Sequence, residues 1–447
     1  MFCDRDRHEA SEAHAVALDC LSAGIAAASP STVVPERVSY DPASDRLRID
    51  GVTYDLSTTD RVLVLGGGKA AGAVASALED VLGDRIAGGA VVTDAPRPTS
   101  VVSTLAGDHP VPSQAGVAST KELLEQARAA GSDDLVLAVV TGGGSALMAA
   151  PRDPVSLEAL RELTAALLAS GATIDEINAV RKHLSLLKGG QLAAATPARV
   201  VGLVISDVVG DDLSVIASGP TAPDPSTYAD AIAVLERYDV AAPASIRETL
   251  DRGARGELPE TPGPDSDVFD RVTNHVIAND DTAIDAAADA ARAAGFQPTV
   301  LSTRIEGEAR EVGRVLAAIG AECSASGRPV EPPAVLLSGG ETTVTVQGDG
   351  TGGPNQELAL AAALEIETDG IVLGSVDTDG LDGSTDAAGA LVDATTVDDQ
   401  ARAATALRNN DAYAYLSGRG ALLFTGETGT NVNDLRALVI GDRTIDS

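Results

Sequence analysis

Lysine, aromatic residues and cysteine are all scarce in this chain, and each shortage excludes something. Only four of 447 residues are lysine, so 28 of the 32 basic residues are arginine. Acids number 66 and the formal net charge is −34. That balance argues against nucleic acid as a partner, because binding it relies on cationic patches. There is no tryptophan and aromatics make up 2%, so a core drawn from the 44% hydrophobic residues must be Val, Leu, Ile and Ala. Cys3, Cys20 and Cys323 are odd in number and far apart, with no CxxC or CxxH spacing. Neither a disulfide framework nor a zinc site is supported. No apolar run reaches the roughly 18 residues of a membrane helix. The first residues run into an amphipathic, acid-containing helix pattern without a secretory apolar core. A soluble, cytoplasmic protein with no membrane partner is expected.

The acids stand singly or in pairs (Asp133-Asp134, Asp211-Asp212, Asp280-Asp281, Asp398-Asp399) rather than in a tail. Dispersed acid with little lysine reads as a halophilic surface, where screening over a few Å removes self-repulsion.

Short runs of Val, Ile and Leu alternate with Ala-rich helical stretches. Strand candidates are 61–65, 89–93, 135–141, 199–206, 275–278, 299–302, 334–338, 341–347, 370–376 and 421–424. Several are too continuously apolar to have a wet face, which suits parallel strands covered on both sides. The alternation predicts an α/β fold with mostly parallel sheets. Gly253–Asp267 is polar, with three prolines and three glycines, and reads as a linker. The expected division is 1–260, a connecting segment 261–333, and a C-terminal block 334–447.

Three of the four lysines stand in motif-like segments; Lys121 looks like an ordinary helix-surface residue. Lys69 follows Gly66-Gly67-Gly68 at the end of an apolar strand and before a helix. Glycines allow close backbone approach, and a helix N-terminus offers free N–H groups to an anion. Gly66-x-Gly68-x-x-Ala71 matches a relaxed dinucleotide fingerprint, with Asp94 ending the next strand candidate; a tight turn with a surface lysine is the plain alternative. Thr141-Gly142-Gly143-Gly144-Ser145 repeats the strand–glycine–helix pattern, with hydroxyls able to bond phosphate or carboxylate oxygens. Arg181-Lys182-His183 and Lys188 concentrate positive charge. On a helix, Arg181, Ser185 and Lys188 would share one face as a cationic wall. Asp207, with Asp211 and Asp212 close behind, follows an apolar strand and suits Mg²⁺ or a general base. Gly339-Gly340 is a further glycine pair. Asn355 and Gln356 carry amides able to read a base or sugar. Asp379 lies in Asp377–Gly383, which resembles a calcium loop only superficially, since the twelfth position is Ala388. Six such loops at strand ends point to one ligand edge of α/β sheets.

The strings GGGKAAGAVASALE, GDHPVPSQAG, TGGGSALMAAP, INAVRKHLSLLKGGQLA, SDVVGDDLSVIASGPTAPDPST, SGGETTVTVQG, GGPNQELALA, DTDGLDGSTDAAGA and TGTNVNDL occur in this order. Together they resemble glycerate 2-kinases carrying a C-terminal MOFRL domain, over nearly the whole chain. The resemblance implies ATP-dependent phosphorylation of D-glycerate at its 2-hydroxyl, with Mg²⁺ or another divalent cation. It implies a larger N-terminal α/β/α Rossmann-like domain, a smaller C-terminal α/β domain and a cleft between them. It assigns Lys69 and Asp207 to catalysis. Ser145, Arg181, Lys182 and Lys188 are expected at the substrate. Gly66–Gly68, Gly142–Gly144, Gly339, Gly340, Asn355 and Gln356 are expected at the nucleotide, and Asp207, Asp211 and Asp379 at the metal. One departure stands out. The family often has Arg before Asn-Gln-Glu, where this chain has Pro354, so Arg181 or Arg304 would take over. Members have also been labelled hydroxypyruvate reductases, which makes NAD(P)H-dependent reduction the competing reading. A non-enzymatic anion sensor would leave Asp207 and Asp379 unused. Whether the chain forms a homo-oligomer is left open.

Overall fold

The computed structural model describes residues 1–441. The chain forms two compact units that are not sequential: Pro30–Ile277, and Met1–Ser29 together with the chain from Ala278 onward. The first 29 residues therefore belong with the C-terminal half, and residues 261–277 with the preceding unit.

The Pro30–Ile277 unit opens with a three-stranded antiparallel sheet of β1 (Val38–Asp41), β2 (Arg46–Ile49) and β3 (Val52–Asp55). Its second turn is Asp50-Gly51, both with positive φ (47° and 82°). Such a pair matches the twist of the flanking strands, a hairpin signal that the list of apolar runs passed over.

Next comes a six-stranded sheet of β4 (Val62–Gly67), β5 (Ile86–Thr93), β6 (Ser103–Ala106), β7 (Leu135–Thr141), β8 (Arg199–Ile205) and β9 (Val272–Ala278). Their order is β6-β5-β4-β7-β8-β9, with β6 through β8 in parallel register. β4 and β7 are buried at every residue, as expected for strands covered on both faces. Leu63, Leu65, Val136 and Ala138 pack on one face with Leu123, Leu124 and Ala127 of helix Gln114–Ala129. After β4 the chain builds outward to β6, then returns to the other side of β4 at β7. This reversal is a topological switch point, where a crevice opens outside the carboxyl ends of the strands.

Gly253–Asp267 is not a free linker. Glu260 meets the His183 imidazole and the Tyr228 N–H, and the buried Thr261 donates to Asp224. Its polar side chains serve internal hydrogen bonds, which composition cannot distinguish from solvation.

In the other unit the sheet runs β10-β12-β17-β14-β15-β16. Its strands are β10 (Gln297–Ser302), β12 (Ala334–Ser338), β14 (Ile371–Asp377), β15 (Gly389–Asp393), β16 (Leu422–Leu423) and β17 (Asp434–Ile440). Two short strands, β11 (Gly307–Glu308) and β13 (Thr342–Thr343), pair separately. Within the six-stranded sheet only the β10–β12 pair is parallel; the β12–β17, β17–β14, β14–β15 and β15–β16 pairs are antiparallel. The expectation of parallel sheets fails here for a physical reason. Leu336, Leu373 and Leu438 pack with helices Ala309–Ser326 and Pro354–Ala363. Helices Glu12–Ala27 and Asp280–Ala293 pack on the same sheet. Cover of this kind leaves no wet face, so strand direction does not show in the sequence. Gly24 makes the helix contact possible, since a Cβ there would lie 2.8 Å from the Ala283 carbonyl oxygen and 2.4 Å from Leu435 Cδ2. Of the strand expected over 341–347 only Thr342–Thr343 forms. Val346 is 73% exposed, and β11 supplies just two partner residues. β17, the central strand missed in the sequence, carries Asp434 and Arg436 inside an otherwise apolar run.

Candidate active site

The carboxyl ends of β4, β7 and β8 bring Lys69, Gly142–Ser145 and Asp207 to one edge of one sheet. Pairing of Thr141 with Ile205 sets the loop after β7 beside the loop after β8. An ideal Cβ on Gly142 would stand 2.3 Å from Asp207 Oδ2, so the carboxylate lies directly against that glycine. A Cβ on Gly143 would stand 3.1 Å from both Lys69 Cγ and His109 Cδ2. Gly143 also has φ 76°, which a side chain would strain. The β7 loop is therefore flanked by an acid, a lysine and an imidazole.

The glycines before Lys69 do different work from the one expected. Gly66 gives way to the Val139 carbonyl oxygen (1.9 Å from an ideal Cβ), Gly67 to Met148 and Val92, and Gly68 to Thr141 Oγ1 (2.0 Å). The N–H groups that follow are used internally. Gly68 donates to Val92 O, Lys69 to Gly142 O, Ala70 to Thr141 Oγ1 and Ala71 to Gly68 O. This turn contributes the Lys69 side chain rather than a backbone cradle. By contrast, the N–H groups of Gly143, Gly144 and Ser145 have no acceptor among the described residues. The N–H groups without an internal acceptor thus follow β7 rather than β4.

The basic segment folds as a helix followed by a turn, not as one helix. Thr173 and Glu176 form a capping box, and the helix spans Ile174–His183. Beyond it Ser185 Oγ accepts from the N–H groups of Leu187 and Lys188 and closes the turn. Ser185 and Lys188 thus leave the helical face expected for them. Lys188 is buried, and its Nζ donates to the carbonyls of Ser145 (2.7 Å) and Met148 (3.4 Å). Burial, then the nearby Arg181 charge, pushes its pKa down to about 7. The Arg181 guanidinium makes no hydrogen bond or ion pair with the described residues, and burial lowers its pKa. The two cations are near enough for the Arg181 charge to act on Lys188. Lys182 turns away, into a buried ion pair with Asp224 (3.4 Å), so its charge is spent on the fold. His183 is fully buried between the Ala179 carbonyl and Glu260. Ser145 is half-buried, its hydroxyl 2.5 Å from that of Ser218.

The residues expected to read a nucleotide in the C-terminal half are interior. Asn355 and Gln356 are 0% exposed. Asn355 Nδ2 donates to Asp434 (2.6 Å) and Asp382, while its Oδ1 accepts from Ser375; Gln356 donates to Asp382 and Thr385. Gly340 fills its Cβ space with the Ile305 backbone and donates its N–H to Asp280, and the Gly339 carbonyl accepts from Arg436. This is a buried polar network that holds loops. Burial drives Asp280 and Asp382 up to about 7. Asp377 is raised well above the carboxylate range by burial and by Asp379 and Asp434. Asp379 accepts from the Leu381 N–H and shapes that turn. Pro354 occupies the first turn of its helix, where a missing N–H costs nothing.

Among the described residues no group of three or more His, Cys, Asp or Glu side chains is arranged to hold a metal ion. Of the acids expected at a metal, Asp207 and Asp211 belong to the Pro30–Ile277 unit and Asp379 to the other; Asp211 stands in a left-handed turn (φ 59°). Mg²⁺ arriving on nucleotide phosphates needs only one or two protein carboxylates, and Asp207 fits that use. No single helix among the described residues is long and apolar enough to cross a membrane.

The family described as "Domain of unknown function (DUF4147)" matches residues 16–251, and the MOFRL family matches 334–434. D-glycerate 2-kinase of Thermotoga maritima is 45% identical over 84% of this chain and 90% of its own. The solved glycerate kinase structure from that organism superposes with a TM-score of 0.82, at 42% identity, over 95% of this chain and 99% of that one. Glycerate 2-kinase of Pyrococcus horikoshii is 40% identical over 95% of this chain and 97% of its own. A putative hydroxypyruvate reductase of Agrobacterium vitis is 43% identical over 85% and 87%. With both domain families matched in order and such identity over nearly full length, the chain belongs to the family of glycerate 2-kinases with a C-terminal MOFRL domain.

Proposed function

We propose that this protein transfers the terminal phosphoryl group of ATP to the 2-hydroxyl of D-glycerate, giving 2-phosphoglycerate and ADP. The observation that carries the reading is the assembly of Lys69, Asp207 and the open N–H groups of Gly143–Ser145 at the switch point of the sheet. Phosphoryl transfer is mostly positioning and charge neutralisation, so no covalent nucleophile is required. Lys69 supplies a positive charge to the transferring phosphoryl oxygens. Asp207 supplies an ionised carboxylate that orients the substrate hydroxyl and takes its proton. Arg181 and Lys188 provide positive potential for the substrate carboxylate in a body that otherwise repels anions. Mg²⁺, when bound with the nucleotide, would neutralise phosphate charge, with Asp207 as its protein ligand. The dispersed acid further supports an enzyme that works in a high-salt cytoplasm.

The reductase reading draws on Gly66-x-Gly68-x-x-Ala71 and the Agrobacterium relative's name. It is disfavoured because Gly66 and Gly68 give way to the protein's own atoms, and the N–H groups after them are already bonded. One assay separates the two. Protein with ATP, Mg²⁺ and D-glycerate should yield 2-phosphoglycerate, and NADH with hydroxypyruvate should remain unoxidised. Absence of any phosphoglycerate refutes the kinase, and 3-phosphoglycerate refutes the regiochemistry.

A further inference from the structure

The direction of one hydrogen-bond chain decides what Ser145 can recognise. Ser218 Oγ donates to Asn178 Oδ1 at 2.9 Å, and Ser145 Oγ lies 2.5 Å from Ser218 Oγ. A hydroxyl has one proton and two acceptor lone pairs. Since the Ser218 proton is on Asn178, the Ser145 proton must make the bond to Ser218. Ser145 is left with lone pairs and no proton for a ligand. It can accept from a donor, but it cannot donate to a carboxylate or phosphate oxygen.

The arrangement is built at some cost. Ser218 and Asn178 are 0% and 2% exposed. Ala217, Ser218 and Gly219 have φ of 50°, 60° and 63°, a left-handed run in which two members are not glycine. Such backbone is strained and persists only where its surroundings fix it. The N–H groups of Gly189 and Gly190 bind the Ser218 and Gly219 carbonyls at 2.9 and 2.7 Å, and Lys188 holds the Ser145 carbonyl. Both ends of the Ser145–Ser218 contact are therefore pinned by one turn, Lys188–Gly190.

We propose that Ser145 accepts a hydrogen bond from the non-transferred 3-hydroxyl of the substrate, with Ser218 and Asn178 as positioning residues that fix its polarity. The proposal rests on the glycerate kinase reading. D-Glycerate has two hydroxyls. In the proposed function Asp207, which lies against Gly142, takes the proton of the one that is phosphorylated, and this leaves the acceptor at Ser145 for the other. Chemistry of this kind would discriminate against 2-hydroxy acids lacking the 3-hydroxyl.

The test is titration calorimetry of D-glycerate and D-lactate, which lacks only that hydroxyl. Wild type should prefer D-glycerate, and Ser145→Ala should lose about tenfold of that preference by weakening D-glycerate alone. Ser218→Gly, which suits the left-handed backbone while removing the hydroxyl, should shift the preference in the same direction. Asn178→Asp keeps the acceptor and should retain it. Equal weakening of both ligands in Ser145→Ala, or a preference unchanged within twofold, overturns the assignment. A preference lost in Ser145→Ala but intact in Ser218→Gly overturns the role of Ser218. Because binding is read directly, failure of the kinase reading shows separately, as absence of phosphoglycerate from wild type with ATP.

Discussion

Gly142→Ala tests the active-site geometry with a single methyl group. An alanine Cβ would stand 2.3 Å from Asp207 Oδ2, whereas ordinary contact begins at 3.4 Å. The carboxylate must therefore withdraw by 3.4 − 2.3 = 1.1 Å. Gly142 does not have the positive φ that would make alanine costly, so the backbone accepts the change. Asp207 is half-buried at the end of a strand and can yield without unfolding the sheet. Misplacing a catalytic group by about 1 Å costs on the order of 100-fold in rate, or about 2.7 kcal/mol of transition-state stabilisation. The expected outcome is a kcat about 100-fold lower with the melting temperature nearly unchanged, followed by ADP release with D-glycerate at saturating ATP. In an Asp207→Asn background the same change should add little, because the group it displaces has already lost its function. A kcat within threefold of wild type would refute the placement of Asp207 at the reacting hydroxyl. So would an undiminished loss in the Asp207→Asn background.

Lys69→Ala should lower kcat by about 100-fold, and Lys69→Arg should recover little of it, because a planar fork differs from a point charge; near-normal turnover returns this residue to the surface. Lys182→Met should destabilise by about 3–5 kcal/mol in urea titrations by stranding the buried Asp224 charge, and adding Asp224→Leu should restore part of it. An unaltered midpoint, or a raised D-glycerate KM with full stability, would make Lys182 a substrate ligand instead. The Lys188 ammonium, depressed to about 7, binds its proton less tightly folded than unfolded. Between about pH 7 and the ordinary lysine value of about 10.4 the unfolded chain holds more protons, so this group makes stability rise with pH by up to about 1.4 kcal/mol per unit. Urea unfolding at pH 7.5 and 9 should show that increment in wild type and not in Lys188→Met; equal slopes would contradict it. With a net charge of −34, the melting temperature should climb from dilute buffer to molar KCl, and a flat profile would dismiss the halophilic reading.

The sequence by itself determined the family and the sheet edge that gathers the candidate residues. Nine strings in order carried the first. The second followed because Lys69, Thr141–Ser145 and Asp207 each end a continuous apolar run, and parallel strands present such ends on one side. Local chemistry also marked helix starts such as Thr173 with Glu176, since a cap and its partner lie three residues apart. Tertiary structure decided what each side chain does once it arrives. Lys182 meets Asp224 across 42 positions, Ser145 meets Ser218 across 73, and Asn355 meets Asp434 across 79. A cationic segment was legible; that Lys182 is consumed by the fold while Arg181 stays available was not. A glycine triplet was legible; that Gly66 and Gly68 yield to Val139 and Thr141, and Gly142 to Asp207, was not. The same limit hid the antiparallel C-terminal sheet and the return of helix Glu12–Ala27 to it. Pattern along a chain records burial and turn chemistry, whereas the partner across a fold is set by packing at distances no local pattern encodes.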